Sequence, residues 1–508
     1  MANSEDLRPF IMCEYACAKS NSNGNFNEFW DLVHKFPRFQ GGFIWDFQDK
    51  ALVRHDESGN KKYVYGGAFQ EEIMDSAPDM CLNGIVFPDL TPKPAAYEIK
   101  YVQAPVQIDY FERPYHVPDN KRYRIYNHYT HRDLSHLDIG WELVCDGMVV
   151  DNGTLPKLNT PAGSMDSVQV PYDPAKVTGE AYLNFYAYLS EDTYYSNKGT
   201  CIYACQTRLK DSVYEIHTGD IESGSLVYEE TADRIHIYNE NTNVVFSKDT
   251  AEFLSVRYNN QDYFTGGANH FYRPPTGIDA GIHGETLNYA DEWRSLGLNS
   301  NWKEIKRIRV YAAPASVIIQ VHALYYGCME TRTDYAVGGK GIEIANTVVN
   351  NANVDTIPRI GLSFTFSAAW NNIKWYGRGP WENYADRKTS AFVGIYESSV
   401  QDQHVPYIVP VECGGKEDVR YLYVFADDRK VKVTSPGYFH FDIHHYSIGQ
   451  YDNAAYEDEL GKADSVFLHI DHKHAGLGGD NGWTQNIHDE YKIEKGIYVY
   501  KIALEIVD

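Results

Sequence analysis

Glu14 is the first residue of this chain placed to do chemistry. It closes the run Phe10-Ile11-Met12-Cys13-Glu14, an apolar stretch entered through Pro9 and ended by a carboxylate. That pattern predicts a strand buried on both faces with its polar residue at the carboxyl end. A carboxylate so placed can serve as nucleophile, acid or base; the alternative for a lone glutamate is a buried ion pair. A second apolar run, Gly42-Phe43-Ile44-Trp45-Asp46-Phe47, also finishes among acids, at Asp46 and Asp49.

Between the two runs, Asn25 to Phe36 sets Phe26, Phe29, Trp30 and Val33 at helical spacing, and Pro37 ends the pattern. Strand, helix, strand with acids at the strand ends is the grammar of a parallel α/β barrel. A full TIM (β/α)8 barrel takes about 250 residues, and only about the first hundred here alternate in this way. Residues 1–103 are therefore expected to hold roughly two of the eight units, the carboxyl-terminal part of such a barrel.

From residue 104 the pattern becomes all-β. Val106–Tyr110, Arg122–Tyr126, Asp138–Val144, Val168–Val170 and Ala181–Tyr186 predict a small immunoglobulin-like sandwich over 104–210, with Asp146-Gly147 and Asn152-Gly153 as turns. Gln206 to Gly224 is polar and reads as a linker. Longer strands follow, among them Arg234–Tyr238, Val317–Val321 and Ile497–Ile502, so 221–508 is expected to be one large β-sandwich. The fold class is multidomain and mainly β.

Lys plus Arg number 46 against 70 Asp plus Glu, a net charge of −24. So acidic a surface disfavours nucleic acid and anionic membrane and favours a neutral small molecule as partner. Eight scattered cysteines suit reduced thiols in a cytoplasmic setting. Neither a cleavable leader nor a membrane span is indicated.

The chain resembles glycoside hydrolase family 2, the large bacterial β-galactosidases that cleave lactose. The resemblance rests on Cys13-Glu14-Tyr15-Ala16, Gln40-Gly41-Gly42-Phe43-Ile44-Trp45-Asp46, Tyr65-Gly66-Gly67, Cys81-Leu82-Asn83-Gly84, Pro358-Arg359-Ile360-Gly361, Gly379-Pro380-Trp381-Glu382-Asn383-Tyr384-Ala385-Asp386-Arg387 and Gly476-Leu477-Gly478-Gly479-Asp480-Asn481-Gly482-Trp483. It implies that the last domain is a galactose-mutarotase-like sandwich. It also implies retaining hydrolysis of terminal β-galactosides with Glu14 as nucleophile. The second carboxyl group that such chemistry needs, about 5–5.5 Å away, would lie in an amino-terminal portion not present here. By the same resemblance Trp45 lines the sugar site, and Trp483 reaches into it from the last domain. Asn83 and the Met80 carbonyl would help to hold sodium, and the main magnesium ligands would lie outside this sequence.

Two positions depart from the family pattern. Cys17 stands where a histidine usually contacts galactose hydroxyls, and a thiol is a poorer donor; this puts sugar discrimination at issue. Cys413 stands where asparagine is common. His440, His444, His445, His472 and His474 could bind a metal only with a third ligand and read otherwise as surface histidines. The glycines near Gly377 and Gly478 lack the strand–helix setting of a phosphate site.

Two functions follow as expectations. One is the carboxyl-terminal portion of a β-galactosidase, active once joined to an amino-terminal barrel portion or complementing subunit. The other is a non-catalytic carbohydrate-binding or assembly subunit. In either case the open edges and apolar faces of a partial barrel predict covering by the β-domains, a complementing chain or a second copy in a homo-oligomer.

Overall fold

The structure is a computed structural model and describes residues 8–73, 77–110, 121–211, 225–281, 288–480, 484–485 and 487–507. Strand β1 (Phe10–Tyr15), helix α1 (Phe26–Lys35) and strand β2 (Phe39–Ile44) form the expected unit, with β1 and β2 parallel and Tyr15 opposite Ile44. Tyr15 packs against Phe26 and Phe29 of α1, with ring centroids 5.7 and 5.0 Å apart. The hairpin β3 (Leu52–His55) and β4 (Lys61–Val64) follows, then helix α2 (Pro94–Val102), whose Ile99 and Val102 join Tyr15 and Phe26 in one apolar cluster.

Burial on both faces does not hold. Along β1 exposure alternates, and Ile11 and Phe43 are 54% and 67% exposed on the face that α1 and α2 do not reach. A two-stranded sheet backed by two helices has one covered face, so the apolar residues of the other meet solvent.

The next region packs a four-stranded sheet against a three-stranded one. The first runs in the order Cys201–Lys210, Ala181–Leu189, Leu137–Cys145, Met148–Thr154; the second is Val106–Tyr110, Arg122–Asn127, Met165–Gln169. Leu143, Phe185 and Tyr203 from one sheet and Val106, Tyr123 and Ile125 from the other share a core. Asp146-Gly147 is a turn, whereas Asn152-Gly153 lies within a strand, Gly153 opposite Trp141. A Cβ on Gly153 would sit 2.9 Å from the Trp141 indole, so the glycine serves the ring and not a turn. Gln206 is also strand: its amide bonds both Asn184 Oδ1 and the Val393 carbonyl, which ties this sandwich to the last domain. The rest of the expected linker, 212–224, lies outside the described residues.

Beyond it, one 16-stranded antiparallel sheet folds back on itself. Phe246 (strand Thr242–Ser247) and Phe253 (strand Glu252–Tyr258) each meet Tyr335 (strand Met329–Gly338) at 5.3 Å across the core. The long strand Arg429–His444 carries the sheet from layer to layer. Its first residues pair with Gly496–Val507 and its last with Ser465–His474.

Candidate active site

Glu14 stands at the end of β1, half-buried, and among the described residues no hydrogen bond or ion pair holds its carboxylate. The ion-paired alternative is therefore not what the structure shows. The backbone beside Glu14 continues into the neighbouring strand. Trp45 N donates to the Tyr15 carbonyl at 3.2 Å, Ala18 N donates to the Trp45 carbonyl at 2.9 Å, and Asp46 N donates to the Asn83 carbonyl. Glu14, Trp45 and Asn83 thus share one hydrogen-bonded ladder at one end of the barrel strands. Trp45 is 41% exposed, leaving its ring open to a ligand, with Lys50 Nζ 5.7 Å from the ring centroid. Lys50 also pairs with Asp46. Partial burial opposes charge on Asp46, but the Lys50 ammonium and the Phe47 amide outweigh it and hold the carboxyl below its ordinary range.

Asn83 is buried, and its Oδ1 has no hydrogen-bond partner among the described residues. A buried carboxamide oxygen left without a donor fits a hard cation that takes oxygen ligands. Close by, Lys19 pairs with Asp79 at 3.1 Å and Lys93 with Asp49 at 2.8 Å. Cys17 is 1% exposed and packs against Ile278 and Met80, so its thiol lies beneath the surface and not on it. Burial pushes that thiol above its ordinary range. Trp483 lies outside the described residues, but the loop that leads to it does not.

That loop and its neighbours hold the segment following Glu14. Residues 16–25 are all buried, although Lys19-Ser20-Asn21-Ser22-Asn23-Gly24-Asn25 has the composition of an exposed loop. Their partners come from hundreds of residues away. Ala16 N and Gly24 N donate to the carbonyls of Asp480 (3.1 Å) and Gly478 (2.9 Å), and Asn25 N donates to that of Asp386 (2.8 Å). Asn21 Nδ2 donates to the Glu412 carbonyl at 2.7 Å, and Arg387 Nη1 to the Ser22 carbonyl at 2.5 Å. Arg387 is in turn paired with Glu382 at 2.8 Å, and Glu382 accepts from Tyr407 Oη and Gly414 N. Asp386 Oδ2 accepts from Leu477 N and Gly478 N, both at 2.8 Å. The motif spanning Glu382 to Arg387 therefore acts as a bracket between the loop after Glu14 and the loop leading to Trp483. Asn21, Ser22 and Asn25 were not singled out by sequence reasoning; a run of turn-forming residues directly after a strand-end carboxylate was the available signal.

Of these histidines, His440, His444, His445 and His474 are buried, beside Asp471, the Cys413 carbonyl, Asn371 and Arg273 respectively, and His472 is half-buried. His440, His474 and Asp471 offer ligand atoms within 4.8 Å of one another. Arg359, however, bonds Asp471 at 3.0 Å through Nε, and Arg273 Nη1 lies 3.4 Å from His474. Two guanidinium groups already supply the positive charge that a metal would bring there.

Residues 1–108 match the family described as Glycosyl hydrolases family 2, TIM barrel domain; residues 123–210 match Beta-galactosidase, domain 4; and residues 238–504 match Beta galactosidase small chain. The chain is 32% identical over 517 residues to a Beta-galactosidase of Vibrio cholerae serotype O1, covering 99% of this chain and 48% of that protein. It is 30% identical over 518 residues to a Beta-galactosidase of Pseudoalteromonas haloplanktis, covering 98% of this chain and 49% of that protein. The chain thus spans about half the length of the curated relatives it matches. Among solved structures, galactose 1-epimerase from Lactobacillus acidophilus NCFM overlaps 56% of this chain and 98% of that one, at 8% identity and a TM-score of 0.33.

These matches, taken in order along the chain, place it in glycoside hydrolase family 2. Within that family the chain belongs to the β-galactosidases and corresponds to the carboxyl-terminal portion of their length.

Proposed function

We propose that this chain carries the nucleophile side of a retaining β-galactosidase active site. The observation that supports it is the state of Glu14: a strand-end carboxylate without a counter-ion among the described residues, followed by a buried segment whose Ala16, Gly24 and Asn25 amides are bonded to distant loops. In the proposed reaction on a terminal β-galactoside such as lactose, a Glu14 oxygen attacks the anomeric carbon as the glycosidic bond breaks. The acid that protonates the leaving oxygen comes from an amino-terminal barrel portion or complementing subunit, and afterwards acts as base on the water that releases the sugar. Trp45 offers a ring face to the apolar side of the sugar. Trp483, at the end of a loop bonded to Ala16 and Gly24, covers the aglycone side, and Cys17 forms part of the floor.

Asn83 Oδ1 and the Met80 carbonyl would hold sodium, which when bound supplies positive charge beside a sugar hydroxyl. Magnesium, if used, takes its main ligands from the other portion. The open face marked by Ile11 and Phe43 is where that portion, or a second copy of the chain, packs. The cytoplasm is the proposed setting, and among the described residues no helix is long and apolar enough to cross a membrane.

The test uses a chromogenic β-galactoside with the chain alone and with the amino-terminal half of the Vibrio cholerae relative, once native mass shows that the two assemble. Turnover by the assembly, abolished by Glu14→Gln, is expected. An assembled but inactive complex that still binds galactose would establish the non-catalytic carbohydrate-binding alternative instead.

A further inference from the structure

We propose that His404, Cys413, His444 and Tyr451 form a closed, structural zinc site under the segment that follows Glu14. The four come from separate pieces of chain: His404 after the short turn Gln401–Gln403, Cys413 in a loop, His444 at the end of the strand Arg429–His444, and Tyr451 in the helix Ile448–Asn453. They converge on one point. His404 Nδ1 lies 2.8 Å from Tyr451 Oη and 4.0 Å from Cys413 Sγ. Tyr451 Oη lies 3.6 Å from Cys413 Sγ and 3.4 Å from His444 Nδ1. Ligand atoms of His404, Cys413 and His444 all fall within 4.8 Å of one another. Three points so spaced lie no more than about 2.8 Å from a common centre, and small side-chain rotations close the rest of the way to Zn–N and Zn–S bonds of about 2.0–2.3 Å.

The outward nitrogens are arranged to suit. His444 Nε2 is 2.9 Å from the Cys413 carbonyl and donates to it, leaving the Nδ1 lone pair to face inward. His404 Nε2 is buried without a hydrogen-bond partner among the described residues, with a Glu457 carboxylate oxygen 3.7 Å away. His444, with one nitrogen toward the centre and an oxygen acceptor on the other, is oriented as metal-bound histidines are. A cavity of about 10 Å³, lined by Cys413, His444 and Tyr451 together with Asp442 and His469, lies against three of the four residues. A mixed N, N, S, O donor set selects zinc, and four protein ligands leave no open position, so the site is structural and not catalytic. Its effect would be local to the bracket described above: Glu412, beside Cys413, holds Asn21, and Gly414 holds Glu382. This inference does not depend on galactoside hydrolysis.

The experiment measures metal content of the whole purified chain after exposure to zinc and removal of loosely bound ions. The expected result is about one zinc per chain, and, with cobalt substituted, the absorption of a thiolate-bound tetrahedral ion. Both should be lost in Cys413→Ser and in His404→Gln at the half-buried rim, and retained in Cys205→Ser, a buried thiol elsewhere. If Cys413→Ser does not fold, His404→Gln decides. Absence of stoichiometric zinc in the unaltered chain, or zinc retained by the His404 variant, overturns the proposal.

Discussion

The amide of Ala16, two residues beyond Glu14, donates to the carbonyl of Asp480 at 3.1 Å, across more than four hundred and sixty positions of sequence. The strand that presents the carboxylate and the loop that leads to Trp483 are therefore one hydrogen-bonded unit. Asp386 strengthens it by accepting two amides of that loop with its side chain and Asn25 N with its carbonyl.

Arg387 is the strut of this unit. Replacing it with methionine removes both the bond to Ser22 and the pairing with Glu382, leaving a buried carboxylate without its counter-ion. Breaking a buried pair from one side costs about 3–5 kcal/mol. Arg387→Met should show that loss in urea unfolding, and the assembled enzyme should lose turnover more than galactose binding. Unchanged stability would mean that Arg387 is not a strut.

The junction between the sandwich and the last domain predicts a dependence on pH. Glu180 accepts from Arg420 Nε at 2.9 Å and from Tyr182 and Tyr376 hydroxyls at 2.7 Å each. Burial opposes its charge, but Arg420 and the hydroxyls outweigh that and hold the carboxyl below its ordinary range. An unfolded glutamate titrates near about 4.3. The depressed folded value means that this stabilisation is complete above that pH and is lost as the pH falls through the folded value. Urea midpoints measured from neutral to acid pH should fall less steeply in Glu180→Gln, which is also less stable at neutral pH because Arg420 stays buried. Parallel acid limbs in the two proteins would refute the assignment.

Much of this was legible in sequence, and the parts that were not share a cause. Tyr15, Phe26 and Trp30 announce β1 and α1 because local period sets which residues meet. The burial of Asn21, Ser22 and Asn25 was not legible: their partners, at Asp386, Arg387, Glu412 and Gly478, come together only through the fold of the last domain. The histidines misled for the same reason. His440 is buried because Asp471 on a paired strand receives it, at 2.9 Å. The open face of β1 and β2 reversed the expectation of double burial, since hydrophobicity along a strand does not say how many strands are present to cover it.

Asn83 offers a test of the cation. Its Oδ1 is buried without a partner, so Asn83→Ala should leave the unfolding midpoint nearly unchanged, there being no side-chain oxygen bond to lose. In the assembled enzyme the variant should no longer respond when sodium is added to a sodium-free buffer, while the unaltered enzyme does. An equal sodium response in both would remove Asn83 from the cation's ligands.

Gly479 is a point of close approach between the two loops. Its φ is +89°, in the region that favours glycine, and a Cβ there would lie 3.0 Å from Ser22 Cβ and 3.2 Å from the Cys17 carbonyl. Alanine at this position therefore pays twice, through its own backbone and by wedging Asp480 away from Ala16. A strained non-glycine conformation costs about 1–3 kcal/mol, and the cheapest relief is for the loop leading to Trp483 to lift. Gly479→Ala should accordingly raise hydrogen exchange at the Ala16 and Gly24 amides while leaving the large sheet protected. Turnover in the assembled enzyme should fall with it. Unaltered exchange at those two amides would show that the loops are joined elsewhere.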